Sequence, residues 1–139
     1  METVYCYTGG VSQGNPGLAA IGVSITDVAH AMLGETAHTI GNSTDTFAAY
    51  QAVLVGLQTL KDILDDASVV TEVVLYLENE SVKKQLNAET PITEPGFVPL
   101  FIEIHNMRVE HFPHLSYRSI ASTENTVVAG LLNEALGGV

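Results

Sequence analysis

The sequence has very few basic residues. Five lysines and arginines stand against 16 aspartates and glutamates, so the formal net charge of the 139-residue chain is −11 at pH 7. Affinity for nucleic acid depends largely on Lys and Arg side chains that displace counterions from phosphates, and the field of so acidic a protein repels a polyanion. Tight, sequence-independent binding to nucleic acid is therefore disfavoured.

The chain also lacks tryptophan, long apolar runs and any cysteine besides Cys6. A single cysteine excludes an internal disulfide, and no apolar segment approaches the roughly 20 residues that cross a bilayer. The N-terminal METVYCYTGG has neither the basic nor the apolar region of a secretory signal. These absences predict a cytoplasmic protein with no membrane partner.

What the sequence does have is apolar content with regular periodicity. Apolar residues make up 46% of the chain and charged residues 15%, which fits one globular domain over residues 1–139. The low charged fraction indicates that a protein partner, or a second copy in a homodimer, covers part of the surface. The order β-β-β-α-β-α-α-β-α predicts a mixed α/β sheet with helices packed on it. Strands are predicted at 3–8, 18–27, 31–39, 71–77 and 115–120, and helices at about 47–64, 79–88, 97–107 and 124–136.

Four stretches of the sequence resemble ribonuclease H type I. They are YTGGVSQGNPG, TDTFAAYQAVLVGL, VVLYLENESVKKQLN and STENTVVAGLLNEAL, which together span nearly the whole chain. The resemblance implies a ribonuclease H-like fold: a five-stranded mixed sheet, three antiparallel strands and then parallel strands, with helices on both faces. It also implies an enzyme that cleaves the RNA strand of an RNA–DNA hybrid with two Mg²⁺ ions, held by an Asp-Glu-Asp-Asp quartet.

The four positions of that quartet carry Gly9, Ala49, Glu78 and Ala129 in this sequence. Glu78 alone keeps a carboxylate, one methylene longer than the family's Asp. Two divalent ions about 4 Å apart repel each other by about 17 kcal/mol at an effective dielectric near 20, and several carboxylates must offset that repulsion. We therefore expect no metal cofactor and no nuclease activity; Mg²⁺ or Mn²⁺ would matter only if residual activity exists.

The stretch Gly14, Asn15, Pro16 and Gly17 resembles the family's loop that lies against the RNA sugars of the hybrid. In that role Asn15 could hydrogen-bond a 2′-hydroxyl. The same residues are typical of a turn between two strands, which the fold needs in any case. Both interpretations stay open, and binding to a hybrid is expected to be weak at best.

Two weaker candidates for metal binding remain. Asp45 and Glu80 could join Glu78 in a residual single-metal site. Asp45, however, is expected to cap the first helix, for which Thr44 and Thr46 are also candidates, and on a helix Glu80 points about 200° away from Glu78. His111 and His114 could hold a transition metal or belong to a polar loop.

The sequence thus predicts a ribonuclease H-like domain that is inactive as a nuclease and retained for binding or assembly. The alternative is a weak or altered metal-dependent ribonuclease H that acts on RNA–DNA hybrids.

Overall fold

The structure, a computed structural model, describes residues 1–137, and its strands all belong to one sheet. Four α-helices pack against that sheet in the described part of the chain, and short 3₁₀ turns at Asp65–Val70 and Pro95–Phe97 lie between the longer elements. The strands are β1 (Thr3–Gly14), β2 (Gly17–Asp27), β3 (Met32–Ser43), β4 (Glu72–Leu77) and β5 (Leu115–Ser119), and the helices are α1 (Asp45–Leu64), α2 (Glu80–Leu86), α3 (Val98–His111) and α4 (Thr126–Ala135).

The strands lie in the order β3-β2-β1-β4-β5. β1 and β2 are antiparallel, as are β2 and β3, whereas β4 runs parallel to both β1 and β5. This confirms the predicted mixed sheet of three antiparallel strands followed by parallel ones. It also explains the nearly unbroken apolar run of β4, because a strand inside a parallel region is buried on both faces.

Helices cover both faces of the sheet, as predicted. Successive residues of a strand point to opposite faces, and neighbouring glycines of β1 show what covers each face. A Cβ on Gly10 would lie 2.7 Å from the backbone nitrogen of Ala49 in α1, whereas a Cβ on Gly9 would lie 2.7 Å from Cγ1 of Val128 in α4. α1 and α4 therefore sandwich the middle of β1.

The larger of the hydrophobic clusters lies between the sheet and α1, with α3 packed behind. Cys6, Tyr50, Leu57, Leu75 and Phe112 are among its fully buried side chains. On the other face, α4 covers the sheet with a smaller cluster of three buried side chains. These are Ala20, Val128 and Leu132.

Several predicted boundaries were too short. β1 continues six residues past the predicted end at residue 8, because its ladder with β2 runs through Gly9 and Gly10 as far as the pair Gly14–Gly17. The two glycines look like the end of a strand in sequence, but backbone hydrogen bonds need no side chain. In the same way β3 extends to Ser43 and α3 extends to His111. No helix within residues 1–137 is long and apolar enough to span a membrane.

Candidate functional site

A cleft opens where β1 and β4 lie beside the start of α1. Its volume is about 270 Å³, and its walls include Gly9, Asp45, Ala49 and Glu78. A neighbouring depression of about 560 Å³ shares Glu78 with the cleft and reaches α4 at Ala129. The fold therefore brings together the four positions that correspond to the family's metal-binding quartet. Glu78 lies at the boundary of the cleft and the depression.

At Gly9 the space for a side chain is already filled. A Cβ there would lie 2.7 Å from Cγ1 of Val128 and 3.3 Å from Cδ1 of Leu132, both from α4. Val128 is fully buried, and its branched side chain has little rotamer freedom in a helix. A carboxylate at position 9 would therefore require α4 or its side chains to move.

Glu78 is exposed, and its carboxylate is held by Asn125. The Nδ2 of Asn125 donates to Oε2 of Glu78 at 2.9 Å and to the backbone oxygen of Thr8 at 3.1 Å. Asn125 itself is only 2% exposed. It stands at the N-cap of α4, yet its side chain makes no capping hydrogen bond. One amide group thus connects β1, the end of β4 and the start of α4.

Asp45 does not cap α1, so that prediction was wrong. The cap is Thr44, another of the three candidates, whose hydroxyl accepts from the backbone N–H of Phe47 at 3.2 Å. Asp45 is the first helical residue, and its Oδ1 accepts from the backbone N–H and the hydroxyl of Ser12, at 2.8 and 3.0 Å. Its own N–H donates to Oδ1 of Asn15 at 3.1 Å. The tip of the β1–β2 hairpin is therefore fastened to the start of α1.

The residues 14–17 form the turn of that hairpin. Gly14 pairs with Gly17 across it, and the peptide bond between Asn15 and Pro16 is cis. Gly14 has a φ of 94°, and a Cβ on Gly17 would collide with the backbone oxygen of Gln13. The turn alone accounts for both glycines, and a role of these residues in binding stays a prediction.

Glu80 makes its side-chain contacts with Ser119 and Lys83 and not with Glu78. It accepts a hydrogen bond from the hydroxyl of Ser119 on β5 and lies 3.8 Å from Nζ of Lys83. The Ser119 hydrogen bond lowers the pKa of Glu80, and the charges of Lys83 and Lys84 lower it further.

The two histidines do not form part of a larger cluster of ligands. His111, the last residue of α3, lies 3.6 Å from a carboxylate oxygen of Glu110, and His114 precedes β5. Within residues 1–137, no group of three or more His, Cys, Asp or Glu side chains could hold a metal ion.

Sequence reasoning missed two residues that shape this region, Asn125 and Val128. Asn125 belongs to the stretch that carried the resemblance, and an Asn before a helix signals a cap. Its actual bonds depend on how α4 approaches β1 and β4. Val128 resembled any apolar helix residue, since only the packed structure shows it against Gly9.

The structure is similar to solved structures of ribonucleases H1. It matches LC11-RNase H1, which was isolated from compost and solved in complex with an RNA/DNA hybrid, with a TM-score of 0.91 and 32% identity over 97% of each chain. It also matches RNase H1 from the halophilic archaeon Halobacterium salinarum, with a TM-score of 0.88 and 26% identity over 99% of each chain. No protein-family model matches the sequence. The similarity to LC11-RNase H1, at 32% identity over 97% of each chain, shows that the chain belongs to the ribonuclease H1 family.

Among curated proteins, the chain is 26% identical over 130 residues to the Bifunctional protein Rv2228c of Mycobacterium tuberculosis. That alignment covers 91% of this chain and 34% of the mycobacterial protein. The chain therefore spans about a third of the length of the mycobacterial relatives that it matches.

Proposed function

We propose that this ribonuclease H-like domain does not cleave RNA–DNA hybrids by the two-metal route and that its fold is retained for binding. The observation that carries the proposal is the filled space at Gly9. Cγ1 of Val128 lies only 2.7 Å from where a Cβ at position 9 would stand, and of the four positions that correspond to the family's quartet only Glu78 carries a carboxylate.

The donor groups of the cleft do not fit a pair of divalent ions. Its two acidic residues are Glu78 and Asp45, and Oδ1 of Asp45 already accepts two hydrogen bonds from Ser12. Mg²⁺ prefers a nearly octahedral shell of oxygens, and a metal pair adds a repulsion of about 17 kcal/mol at an effective dielectric near 20. Two carboxylates supply too few oxygens and too little negative charge for that task.

The direct test is a cleavage assay on a labelled RNA–DNA hybrid with Mg²⁺ or Mn²⁺. We expect no cleavage above the background of a Glu78→Gln variant, with a ribonuclease H1 of known activity as the positive control. Metal-dependent turnover that disappears in Glu78→Gln would contradict the proposal.

The first ligand to test for the binding role of this fold is an RNA–DNA hybrid. The similar LC11-RNase H1 has a structure with an RNA/DNA hybrid bound. In this chain the contact between Asn15 and the backbone of Asp45 fixes the hairpin tip, and it leaves the amide nitrogen of Asn15 as a donor for a 2′-hydroxyl. The net charge of −11 limits any such affinity.

A protein partner or a second copy is the other ligand to test, and the outer face of α3 favours it. Val98, Ile102 and Val109 lie at helical spacing and are 40%, 51% and 65% exposed. An apolar surface of this kind suits contact with protein better than contact with a phosphate backbone. Light scattering, pull-downs and anisotropy with a labelled hybrid separate these cases: a monomer that captures no protein partner and binds no hybrid would remove support for both.

The second candidate function is a weak, altered ribonuclease H. It is favoured by one observation, namely that Glu78 and Asp45 line the same cleft. Paramagnetic broadening by Mn²⁺ would distinguish it, because a bound ion would selectively broaden the NMR signals of Glu78 and Asn79. Broadening spread evenly over the acidic surface would argue against this candidate.

A further inference from the structure

The outer face of α3 carries an apolar stripe that stays exposed. It consists of Val98, Ile102 and Val109, with the exposed His105 between the last two. The successive spacings are four, three and four residues, which on a helix places all four side chains within a sector of about 60°. This is the pattern of two residues per heptad by which helices pair along a seam. α3 therefore presents an unpaired helix surface about 21 Å long.

The packing of α3 on the rest of the protein does not account for this stripe. α3 contacts the core through its other side, where Ile104 is 1% exposed and Leu100 and Met107 pack against the large hydrophobic cluster. A surface helix normally has charged and polar residues opposite its buried face. Apolar residues on both sides indicate a helix that is covered on both sides.

The charges beside the stripe are negative on its outer flank. Glu103 and Glu110 are both exposed there and lie seven residues apart, so they stand in line along the helix. The guanidinium of Arg108, on the other flank, contacts β5: it donates to the backbone oxygen of Leu115 at 3.0 Å and lies 5.2 Å from the centre of the Tyr117 ring. The stripe is thus bordered by carboxylates in a chain with a net charge of −11.

A groove follows the flank of α3 that lies away from the two glutamates. It is formed by two depressions, of about 460 and 450 Å³, which share Ala88 and Phe101. Leu86 and Val109 line the first depression, and Ile92 lines the second. Because Val109 belongs to both the stripe and the groove, the apolar surface is continuous and has room for large side chains of a partner.

We propose that the stripe and the groove together dock an amphipathic helix of a partner protein, with Lys or Arg on the side next to Glu103 and Glu110. This rests on the proposed function in one respect, the retention of the fold for binding, and it adds the class of partner. Helix-in-groove recognition uses apolar anchors at spacings of three, four and seven residues, which the stripe matches. Charge complementarity selects the occupant, because the acidic chain attracts a basic helix, whereas a second copy would bring a further −11 and be repelled.

The probe for the test is a fluorescein-labelled peptide of about 18 residues, built from leucine and lysine with leucine at two positions per heptad. One comparison peptide has the same composition with the leucines spread around the helix, and a second has glutamate in place of lysine. Anisotropy with the whole chain should show saturable binding of the first peptide, and binding of the other two should be weaker by at least about tenfold. The amide NMR signals of α3 should shift on binding.

Ile102→Ser tests the apolar part of the surface. It removes the side chain in the middle of the stripe and should weaken binding of the leucine–lysine peptide by about tenfold, because the burial of that side chain is lost. The matched control is Val127→Ser in α4, since Val127 is 52% exposed and Ile102 is 51% exposed. Val127→Ser should bind the peptide as the unaltered chain does.

The pair Glu103→Lys, Glu110→Lys tests the charge part, and Glu35→Lys, Glu134→Lys is its control. Each pair changes the net charge from −11 to −7, but Glu35 is exposed on β3 and Glu134 is exposed on α4. The first pair should weaken binding by about tenfold and the control pair by much less. Equal losses would show a general attraction to the acidic chain and would overturn the proposal.

Two further outcomes would also overturn it. One is equal binding of the peptide with spread leucines, or an equal effect of Ile102→Ser and Val127→Ser. The other is a dimer in light scattering that Ile102→Ser dissociates, which would assign the stripe to a second copy. None of these results depends on the cleft, because cleavage of a hybrid would contradict the proposed inactivity and leave the peptide binding as measured.

Discussion

Val128 of α4 stands where a side chain at Gly9 of β1 would have to lie, with Cγ1 only 2.7 Å from the Cβ position. The relationship joins the strand that carries the first position of the family's quartet to the helix that carries the last. It means that a carboxylate cannot simply be returned to position 9. Any substitution there also acts on the packing between the sheet and α4.

This packing predicts an energetic coupling between Gly9→Asp and Val128→Ala. Gly9→Asp should lower the free energy of unfolding by about 3 kcal/mol, through overpacking and the partial burial of a charge. Val128→Ala should cost about 2 kcal/mol by leaving a cavity. Because each change relieves the defect of the other, we expect the double variant to be at least 1 kcal/mol more stable than the summed losses of the two single variants predict. Denaturant unfolding of the four proteins measures this.

Gly130→Asp is the control for that cycle. Gly130 lies in α4 as well, but a Cβ there meets nothing within 4 Å. The substitution should change stability by about 0.5 kcal/mol or less, in the range of ordinary surface changes. Additive effects of Gly9→Asp and Val128→Ala would show that the two positions are not in contact.

Asn125 is predicted to matter more for the fold than Glu78 does. Asn125→Ala removes the donor to the backbone oxygen of Thr8 and to Glu78, and it should cost about 2–3 kcal/mol because a buried hydrogen bond and one to a charged group are both lost. Glu78→Gln should cost less than about 1 kcal/mol, since that side chain is exposed. Chemical denaturation of the two variants measures the loss in the free energy of unfolding that each substitution causes. The exposed Asn106→Ala serves as the control, and equal losses from Asn125→Ala and Glu78→Gln would refute the ranking.

Much of the fold could be predicted because the signals are local. The apolar run of Val73, Val74 and Leu75 already indicated a strand buried on both faces, and that prediction is confirmed. The course of β1 through Gly9 could not be predicted, because the partner strand supplies its hydrogen bonds. The bonds of Asn125 form only after α4 packs on the sheet, so the sequence predicted the four positions of the candidate site but not what fills the space between them.

Salt should stabilise this protein. Sixteen acidic residues repel one another across a small surface with five basic ones, and raising the ionic strength from 0.1 to 1 M shortens the Debye length from about 10 to about 3 Å. The melting temperature should therefore rise by several degrees over that range of sodium chloride, since self-repulsion destabilises the compact state. Circular dichroism at increasing salt measures it.

The variant Asp62→Lys, Asp66→Lys tests the cause of the salt effect. Both side chains are exposed near the end of α1, where acidic groups also oppose the helix dipole. Each substitution removes one negative charge and adds one positive charge, so the net charge changes from −11 to −7. We expect the variant to be more stable at low salt and less responsive to added salt. An unchanged salt response would show that net charge is not the cause.

The last prediction concerns the restoration of hybrid cleavage. Gly9→Asp, Ala49→Glu, Glu78→Asp and Ala129→Asp together return the family's four carboxylates to this chain. The structure predicts that these four changes alone will yield little activity, because Asp at position 9 would still press against Val128. Adding Val128→Ala should open that space, and cleavage of a labelled hybrid in Mg²⁺ should then increase at least tenfold over the four-substitution variant.

Each added carboxylate also offsets the repulsion between two bound ions, so the same five-substitution variant should be stabilised by Mg²⁺ in a thermal melt whereas the unaltered chain is not. If Mg²⁺ stabilises the variant but no cleavage appears, the metal site has been rebuilt and the groove no longer accepts a hybrid. If the four changes restore activity without Val128→Ala, then α4 yields more easily than the packing at Gly9 implies, and the steric part of the proposal is wrong.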